Sequence, residues 1–233
     1  MKTPLEFDEN QDPILLEDIQ DDTGNESRRP MGPLSKIPSK KNLLPAAVLF
    51  ILFYIFSFVL KHNFSDVMWI SGDEVINKKE VWRLLTAIFI HADLQHLLSN
   101  APLFLIFGWL LRDYYGILIF PAGSLIIGIA ANLITVSLYD PAIRLIGASG
   151  MVYGMAAQWL VYYVRHDTNY SVGKRIFRAS GFAMAMLFPT TVYHNVSYLA
   201  HAAGFFSGIA ISLVMLPLIK MAPMKQMERN DTR

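Results

Sequence analysis

The chain has 233 residues, a net charge of +1 and no cysteine, and 53% of its residues are hydrophobic while 17% are charged. Mean hydropathy is +0.35. These values exclude an ordinary soluble domain and indicate a protein that crosses a membrane several times. The missing cysteines exclude disulfides, thiol nucleophiles and Cys-ligated zinc, and the near-zero net charge gives no reason to expect a nucleic-acid partner.

Residues 1–41 are predicted to form a disordered cytoplasmic tail. The first half of this segment is rich in acids, and the second half is rich in Pro, Ser, Gly and basic residues. Such a composition cannot bury enough apolar surface to fold alone. No cleavable signal peptide is visible, because the N-terminus is acidic and the first apolar run begins near Leu43. At the other end, residues 221–233 are predicted to be a basic cytoplasmic tail.

Six apolar stretches are each near the length that crosses a bilayer at about 1.5 Å per residue. They are predicted at Leu43–Leu60, Leu94–Leu111, Gly116–Tyr139, Ser149–Val164, Ile176–Tyr193 and Leu199–Leu218. The sequence therefore predicts an all-α membrane protein, in which residues 42–220 form a six-helix transmembrane domain. Pro189 in the short fifth span predicts that the outer end of this span is loosely held.

The positions of Lys and Arg predict the orientation of the spans. If the N-terminus is cytoplasmic and Lys2 is left aside, fourteen basic residues lie on the inner side and five on the outer side. Both termini are therefore predicted to lie inside, so that the second, fourth and sixth spans all begin at the outer face. The long outer connection, about Lys61–Asp93, contains Trp69 and Trp82 and is expected to lie in the interfacial region.

The three spans that begin at the outer face carry polar side chains in their first turns. These residues are His96 and Asn100 in the second span, Ser149 at the start of the fourth, and His201 in the sixth. Polar groups at membrane depth are costly unless they have partners or a function. Their shared depth predicts a single site.

Glycines on the fourth and sixth spans are predicted to bring two of these polar groups together. Gly150 and Gly154 lie one step around the helix from Ser149, while Gly204 and Gly208 share a face with His201. Small residues let membrane helices approach closely. Ser149 is therefore expected to come within reach of His201.

A serine and a histidine in this arrangement suit bond cleavage by acyl transfer. A serine hydroxyl needs a neighbouring base to act as a nucleophile, and a neutral imidazole can take its proton and return it to the leaving amine. The free backbone N–H groups at the start of the fourth span, with His96 and Asn100, could stabilise the oxyanion.

A catalytic acid is not evident near these residues. Asp113 is expected at the inner face, and Asp140 lies in the outer loop nine residues before Ser149. A Ser-His dyad is therefore favoured over a triad. A His-Glu-x-x-His motif and a pair of acids within the spans are both missing from the sequence, so neither a metal nor another cofactor is expected.

Four motifs resemble those of the rhomboid intramembrane serine proteases, and the resemblance covers about residues 42–220. They are Trp82-Arg83; His91, His96 and Asn100, separated by four and by three residues; Gly147-Ala148-Ser149-Gly150 followed by Tyr153; and Ala200-His201-Ala202-Ala203-Gly204 followed by Gly208. The resemblance implies a six-helix rhomboid-like bundle. It also implies a serine endopeptidase whose substrates are single-span membrane proteins, cleaved within the lipid bilayer near the outer end of their helix.

The resemblance also implies a role for each residue. Ser149 would be the nucleophile and His201 the base, with Tyr153 stacked beneath the His201 ring. The oxyanion hole would be formed by His96, Asn100 and the Ser149 amide. Structural roles near the site would fall to His91, Trp82, Arg83, Gly147, Gly150, Gly204 and Gly208. The fifth span and the connection through His194, Asn195 and Val196 would form a lateral gate and cap.

Two other functions are compatible with a polytopic membrane protein. A catalytically inactive rhomboid-like protein would bind transmembrane helices without cleaving them, but such relatives usually lack the serine or the histidine, and both are present here. A small transporter would show two matching halves with broken helices, and the halves of this chain do not match. The compact six-span plan and the missing cysteines favour a prokaryotic inner membrane as the location.

Overall fold

The computed structural model describes residues 16–20, 26–30, 38–59, 67–167, 169–187 and 197–219. Three predictions concern residues outside these ranges. They are the basic tail at 221–233, the outer end of the fifth span beyond Leu187, and the cap at His194, Asn195 and Val196. Most of the predicted N-terminal tail also lies outside the described residues.

Part of that tail is described by the structure, and the disorder of residues 1–41 stays a prediction. Two short strands, β1 (Leu16–Gln20) and β2 (Glu26–Pro30), pair antiparallel, with Leu16 opposite Pro30 and Gln20 opposite Glu26. The two strands form a sheet of their own, and a pair of strands alone is only marginally stable in water.

The rest of the described chain is helical apart from its connections. The α-helices are α1 (Leu44–Tyr54), α2 (Arg83–Thr86), α3 (Leu94–Tyr115), α4 (Ser124–Leu138), α5 (Ser149–His166), α6 (Val172–Leu187) and α7 (Tyr198–Met215). Shorter 3₁₀ or π turns lie at Lys40–Leu43, Ile55–Val59, Asp73–Asn77, Ala87–Phe89, Leu118–Gly123 and Leu216–Leu218. Each helix except α2 overlaps one of the predicted spans.

Four stretches of the described residues are long and apolar enough to cross a membrane. They are Lys40–Val59, Leu94–Tyr115, Leu118–Leu138 and Tyr198–Leu218. The prediction of a helical membrane protein is confirmed. The helix α5 falls outside this group because it carries polar residues such as Gln158 and Arg165, and α6 falls outside it because its described part has only 16 residues.

The predicted third span is interrupted near its start. Phe120 has an extended backbone (φ −132°, ψ 126°) between Leu118 and Gly123, and the regular helix α4 begins only at Ser124. Pro121 accounts for the break, because a proline pushes the residue before it out of the helical region. The Phe120 side chain is fully buried and packs against Phe104 of α3, with 5.9 Å between ring centroids.

The helices α3, α5 and α7 begin at the same end of the bundle. The turn before α5 lies against the first turn of α3, since a Cβ atom at Gly147 would come within 2.8 Å of the His96 ring. Gly150 in α5 similarly lies against the Ala200 carbonyl in the first turn of α7. Side-chain caps fix two of these starts: Asp93 accepts the His96 amide at 2.7 Å, and Ser197 accepts the Ala200 amide at 3.1 Å.

At the opposite end, the start of the first span is tied to the end of α3. The Asp113 carboxylate accepts hydrogen bonds from the Ser39 amide at 2.9 Å and from the Asn42 side chain at 2.7 Å. The Trp109 indole donates to the Ser39 carbonyl at 2.8 Å. These contacts make α1 antiparallel to α3, so that α1 ends near the turns from which α3 and α5 start.

The connection between α1 and α3 is packed onto the body of the protein. Ile70 and Leu145 exchange two backbone hydrogen bonds, of 3.0 and 2.8 Å, which join this connection to the loop between α4 and α5. The Asn132 side chain donates to the Leu84 carbonyl at 2.8 Å. Ile70 and Leu84 are buried with Val136 in a small apolar cluster. The α1–α3 connection is therefore a folded element.

Glycines set the separation of α5 and α7, which form the most extensive helix contact in the described chain. A methyl group at Gly204 would overlap the Gly150 carbonyl oxygen, and one at Gly208 would overlap the Gly154 carbonyl oxygen. Conversely, a methyl group at Gly154 would come within 2.8 Å of the Gly204 carbonyl oxygen. Larger side chains would force the backbones apart.

Gly204→Ala tests this contact. We expect the substitution to destabilise the fold by about 1–3 kcal/mol, because the added methyl group overlaps backbone that cannot rotate away. Thermal unfolding in detergent measures the change. Gly181→Ala is the matched control, since nothing lies within 4 Å of a Cβ atom at this position in α6, and alanine there should be neutral or stabilising. Equal melting temperatures for the two variants would contradict the proposed packing.

Candidate active site

The rings of Tyr153 and His201 are stacked across the α5–α7 contact. Their centroids are 4.0 Å apart and the ring planes differ by only 12°. Tyr198 stands edge-on to the same imidazole, with centroids 6.2 Å apart. The His201 ring is thus held from two sides, and its plane is fixed by the tyrosine of the neighbouring helix.

Ser149 is the first residue of α5, one turn before Tyr153. Its side chain is partly exposed, and the next residue, Gly150, packs against the carbonyl of Ala200, the neighbour of His201. Among the described residues, no hydrogen bond joins Ser149 to His201. The backbone contacts nevertheless bring the serine and histidine positions to adjoining turns of touching helices.

His96 packs against the turn that precedes Ser149. Gly147 has a positive φ of 113°, a conformation that favours glycine. A Cβ atom at Gly147 would lie 2.9 Å from the His96 Nε2 atom, so glycine is required both for the turn and for the approach of the ring. Asn100, one turn further along α3, is buried and donates one side-chain N–H to the His96 carbonyl at 3.2 Å. Its second side-chain N–H is available to another acceptor.

His91 is completely buried between the end of the first span and the turn before Ser149. The Ala148 amide donates to its Nε2 atom at 3.4 Å, while its Nδ1 atom lies 3.4 Å from the Ser57 hydroxyl. That hydroxyl also accepts the His91 amide at 2.9 Å. A proton on Nδ1 satisfies all three contacts. Burial lowers the pKa of His91 to about 3, so the ring is neutral and can accept the Ala148 amide.

Arg83 anchors the connection before α3 from a buried position. Its guanidinium donates to the Glu80 carboxylate at 2.5 Å and to the Trp69 carbonyl at 3.1 Å, and lies 3.8 Å from Glu74. Two guanidinium groups lie over the Trp69 ring, with Arg83 5.0 Å and Arg144 4.0 Å from the ring centroid. Trp69 is therefore packed within the protein.

The adjacent Trp82 has a different environment. Its side chain is 55% exposed, as expected for a side chain that faces the interfacial region of a membrane. The predicted motif pair thus consists of one buried residue that holds the connection together and one exposed residue. Neither Trp82 nor Arg83 contacts Ser149 or His201 in the interactions of the described residues.

Two contributors were missed by the sequence analysis. Ser57 and Arg144 hold His91 and Trp69, respectively. A serine within the otherwise apolar stretch Phe50–Val59 was a usable signal for Ser57, because such a hydroxyl needs a partner. No local pattern identifies Arg144. Over the described part of the chain, no group of His and acidic residues is arranged to hold a metal ion.

The folded elements define a helical membrane protein with a Ser, His and Tyr cluster where α5 meets α7. The sequence profile described as the Rhomboid domain matches residues 78–218, which is more than half of the chain. The chain belongs to the rhomboid family, as the motif resemblance predicted.

Relatives in several kingdoms are similar to this chain. The putative rhomboid protease YdcA of Bacillus subtilis is 31% identical over 160 residues, covering 64% of this chain and 77% of that protein. RHOMBOID-like protein 1 of Arabidopsis thaliana is 30% identical over 142 residues, covering 61% of this chain and 36% of that protein. Rhomboid-like protease 3 of Toxoplasma gondii is 26% identical over 182 residues, covering 73% and 68%.

The chain spans less than half the length of RHOMBOID-like proteins 1, 7 and 2 of Arabidopsis thaliana, of which it covers 36%, 47% and 45%. The relatives are both eukaryotic and bacterial, so they do not support the expectation of a prokaryotic membrane. Helices suited to membrane spanning and membership in the family identify an integral membrane protein.

Ser57→Ala tests the contribution of His91. The substitution removes a hydrogen-bond acceptor from two buried donors, which should cost about 1–3 kcal/mol of stability and leave the turn before Ser149 less firmly held. Thermal unfolding reports the loss. Ser137→Ala is the control, because this exposed serine only donates to the Leu133 carbonyl of its own helix. If both variants melt with the wild type, the network does not stabilise the turn.

Proposed function

We propose that this chain is an intramembrane serine endopeptidase that uses Ser149 and His201 as a catalytic dyad. The observation that carries the proposal is the stacking of the Tyr153 ring on the His201 imidazole, at 4.0 Å and 12°, one helical turn from Ser149. A histidine whose only role was helix packing would not need an aromatic ring aligned with its face beside a serine at a helix start.

The proposed reaction begins with attack of the Ser149 hydroxyl on a substrate peptide carbonyl. His201 takes the hydroxyl proton as the new C–O bond forms, and returns it to the amine when the C–N bond breaks. Water then hydrolyses the acyl-enzyme, with His201 acting as base again. Because catalytic hydrogen bonds often tighten only when substrate binds, the missing Ser149–His201 hydrogen bond is compatible with this role.

The oxyanion of the tetrahedral intermediate would be bound at the start of α5. The Ser149 N–H is among the first amides of the helix and has no partner within it. His96 and the second side-chain N–H of Asn100 are the proposed additional donors. Removing one donor from such a hole costs roughly 3 kcal/mol of transition-state stabilisation. Gly147 supports this arrangement, because a side chain there would displace the His96 ring.

The substrates are proposed to be single-span membrane proteins. Cleavage would occur near the end of the bundle where α3, α5 and α7 begin, and the substrate helix must unwind there because an intact helix hides its carbonyls in hydrogen bonds. We further propose that α5 and α6 also cross the membrane, which gives six spans in residues 42–220, and that both termini are cytoplasmic. Residues 1–41 and 221–233 would be cytoplasmic tails.

A catalytically inactive rhomboid-like protein that binds transmembrane helices is the alternative. It shares the fold and would need neither the hydroxyl of Ser149 nor the imidazole of His201. The presence of both residues, together with the stacked tyrosine, favours the protease.

Labelling with a serine-reactive fluorophosphonate separates these two functions. We expect the wild-type protein to be labelled in membranes and to cleave a single-span reporter, and we expect Ser149→Ala to do neither, because the nucleophile is gone. His201→Ala should lose labelling and cleavage while keeping its thermal stability. Ser137→Ala, which removes the exposed hydroxyl of a different serine, should remain fully labelled. Undiminished labelling of Ser149→Ala would exclude Ser149 as the nucleophile.

Substitutions of Tyr153 test how the base is oriented. Tyr153→Phe keeps the stacked ring and should retain most of the activity, whereas Tyr153→Ala should lower kcat about 10-fold or more, because a misplaced base contributes little to proton transfer. Reporter cleavage at saturating substrate measures kcat. If Tyr153→Phe and Tyr153→Ala reduce kcat equally, the hydroxyl and not the stacking is important. If neither substitution reduces kcat, the stacking has no catalytic role.

A further inference from the structure

We propose that the cavity between α5, α6 and α7, in the half of the bundle away from Ser149, binds one anionic phospholipid. The cavity has a volume of about 620 Å³, within the roughly 300–1,000 Å³ typical of ligand pockets. It is lined by α5 between Ala157 and Arg165, by α6 between Val172 and Ala183, and by α7 and the turn after it between Phe205 and Leu216, and neither Ser149 nor His201 belongs to this lining. It is thus separate from the candidate active site.

The shape and composition of the cavity fit an acyl chain. Its lining is almost entirely aliphatic and aromatic, including Leu160, Ala183 and Phe205. Val172 and Ile176 also line it and are about half exposed, at 55% and 49%, so the cavity opens to the outside of the bundle. In a membrane this opening faces lipid, whose chains can enter without crossing water.

Two guanidinium groups supply charge complementarity at one end of this apolar cavity. Arg165, from the last turn of α5, and Arg175, from the first turn of α6, both belong to its lining. Arg175 donates to the Val164 carbonyl at 2.7 Å, but its Nε–H is buried and has no hydrogen-bond partner among the described residues. A buried donor of this kind requires an acceptor, and a phosphate oxygen is a suitable one.

The surrounding charge also favours an anion. Residues 165–178 contain four Lys or Arg residues and one acid, Asp167. Asp167 accepts the Asn169 amide at 2.8 Å. Lys174 and Arg178 lie over the Tyr170 ring, at 4.7 and 3.9 Å, so they contribute positive potential beside the cavity. Basic pockets between membrane helices are suited to anionic lipid head groups.

Native mass spectrometry of the purified full chain can test this site. The probes are phosphatidylglycerol and phosphatidylcholine with identical acyl chains. We expect the wild type to retain one phosphatidylglycerol in preference to phosphatidylcholine. Arg165→Gln should weaken phosphatidylglycerol retention about fivefold, the effect of one basic side chain near an anionic lipid. Lys41→Gln is the matched control, because this exposed lysine at the same end of the bundle is not part of the cavity lining.

A second pair of variants tests the apolar part of the cavity. Ala183→Phe places a ring in the cavity and should abolish lipid retention, whereas Ala185→Phe, at an exposed position of the same helix outside the lining, should not. Glycerol phosphate without acyl chains should fail to compete. Equal retention of the two lipids, equal retention by the two Phe variants, or full competition by glycerol phosphate would each overturn the proposal. Arg165 is exposed, so its substitution remains informative if Ala183→Phe does not fold.

Discussion

The close approach of α5 and α7 is the constraint on which the candidate site depends. Gly150 and Gly204 meet at one turn, and Gly154 and Gly208 meet one turn further along. Because no side chain separates the two backbones, Tyr153 reaches the face of the His201 ring. Without this contact, a serine at one helix start and a histidine in another would be two unrelated polar residues in an apolar bundle.

A second layer of contacts positions the turn from which α5 begins. His91 accepts the Ala148 amide, and Ser57 holds the His91 ring from the end of the first span. The chain just before this turn is also held, because the backbone of Leu145 pairs with that of Ile70. The start of α5 is therefore supported by two elements that are distant in sequence. Such support matters because a catalytic hydroxyl must be held to within a fraction of an ångström.

Much of this arrangement could be predicted from the sequence, and the limits have physical reasons. The starts of α5 and α7 could be predicted because polar loop residues give way there to apolar runs. The approach of Gly150 to Gly204 could be predicted because small residues recur at helical spacing on both helices. Pro121 marks the break at Phe120, but the break was missed because the proline lies within an apolar run that is long enough to cross a membrane. The contacts of Trp69 with Arg83 and Arg144 were also missed, since contacts between residues that are distant in the sequence leave no local periodicity.

The tie between Ser57 and His91 bears on where the functional unit begins. The Rhomboid domain match starts at residue 78, after the first helix has ended, yet the hydroxyl that orients His91 comes from that helix. A fragment limited to the residues that match the Rhomboid domain would lack Ser57, so His91 would lose this hydrogen-bond partner. The first membrane-spanning helix thus also supports the candidate site, through the contact of Ser57 with His91.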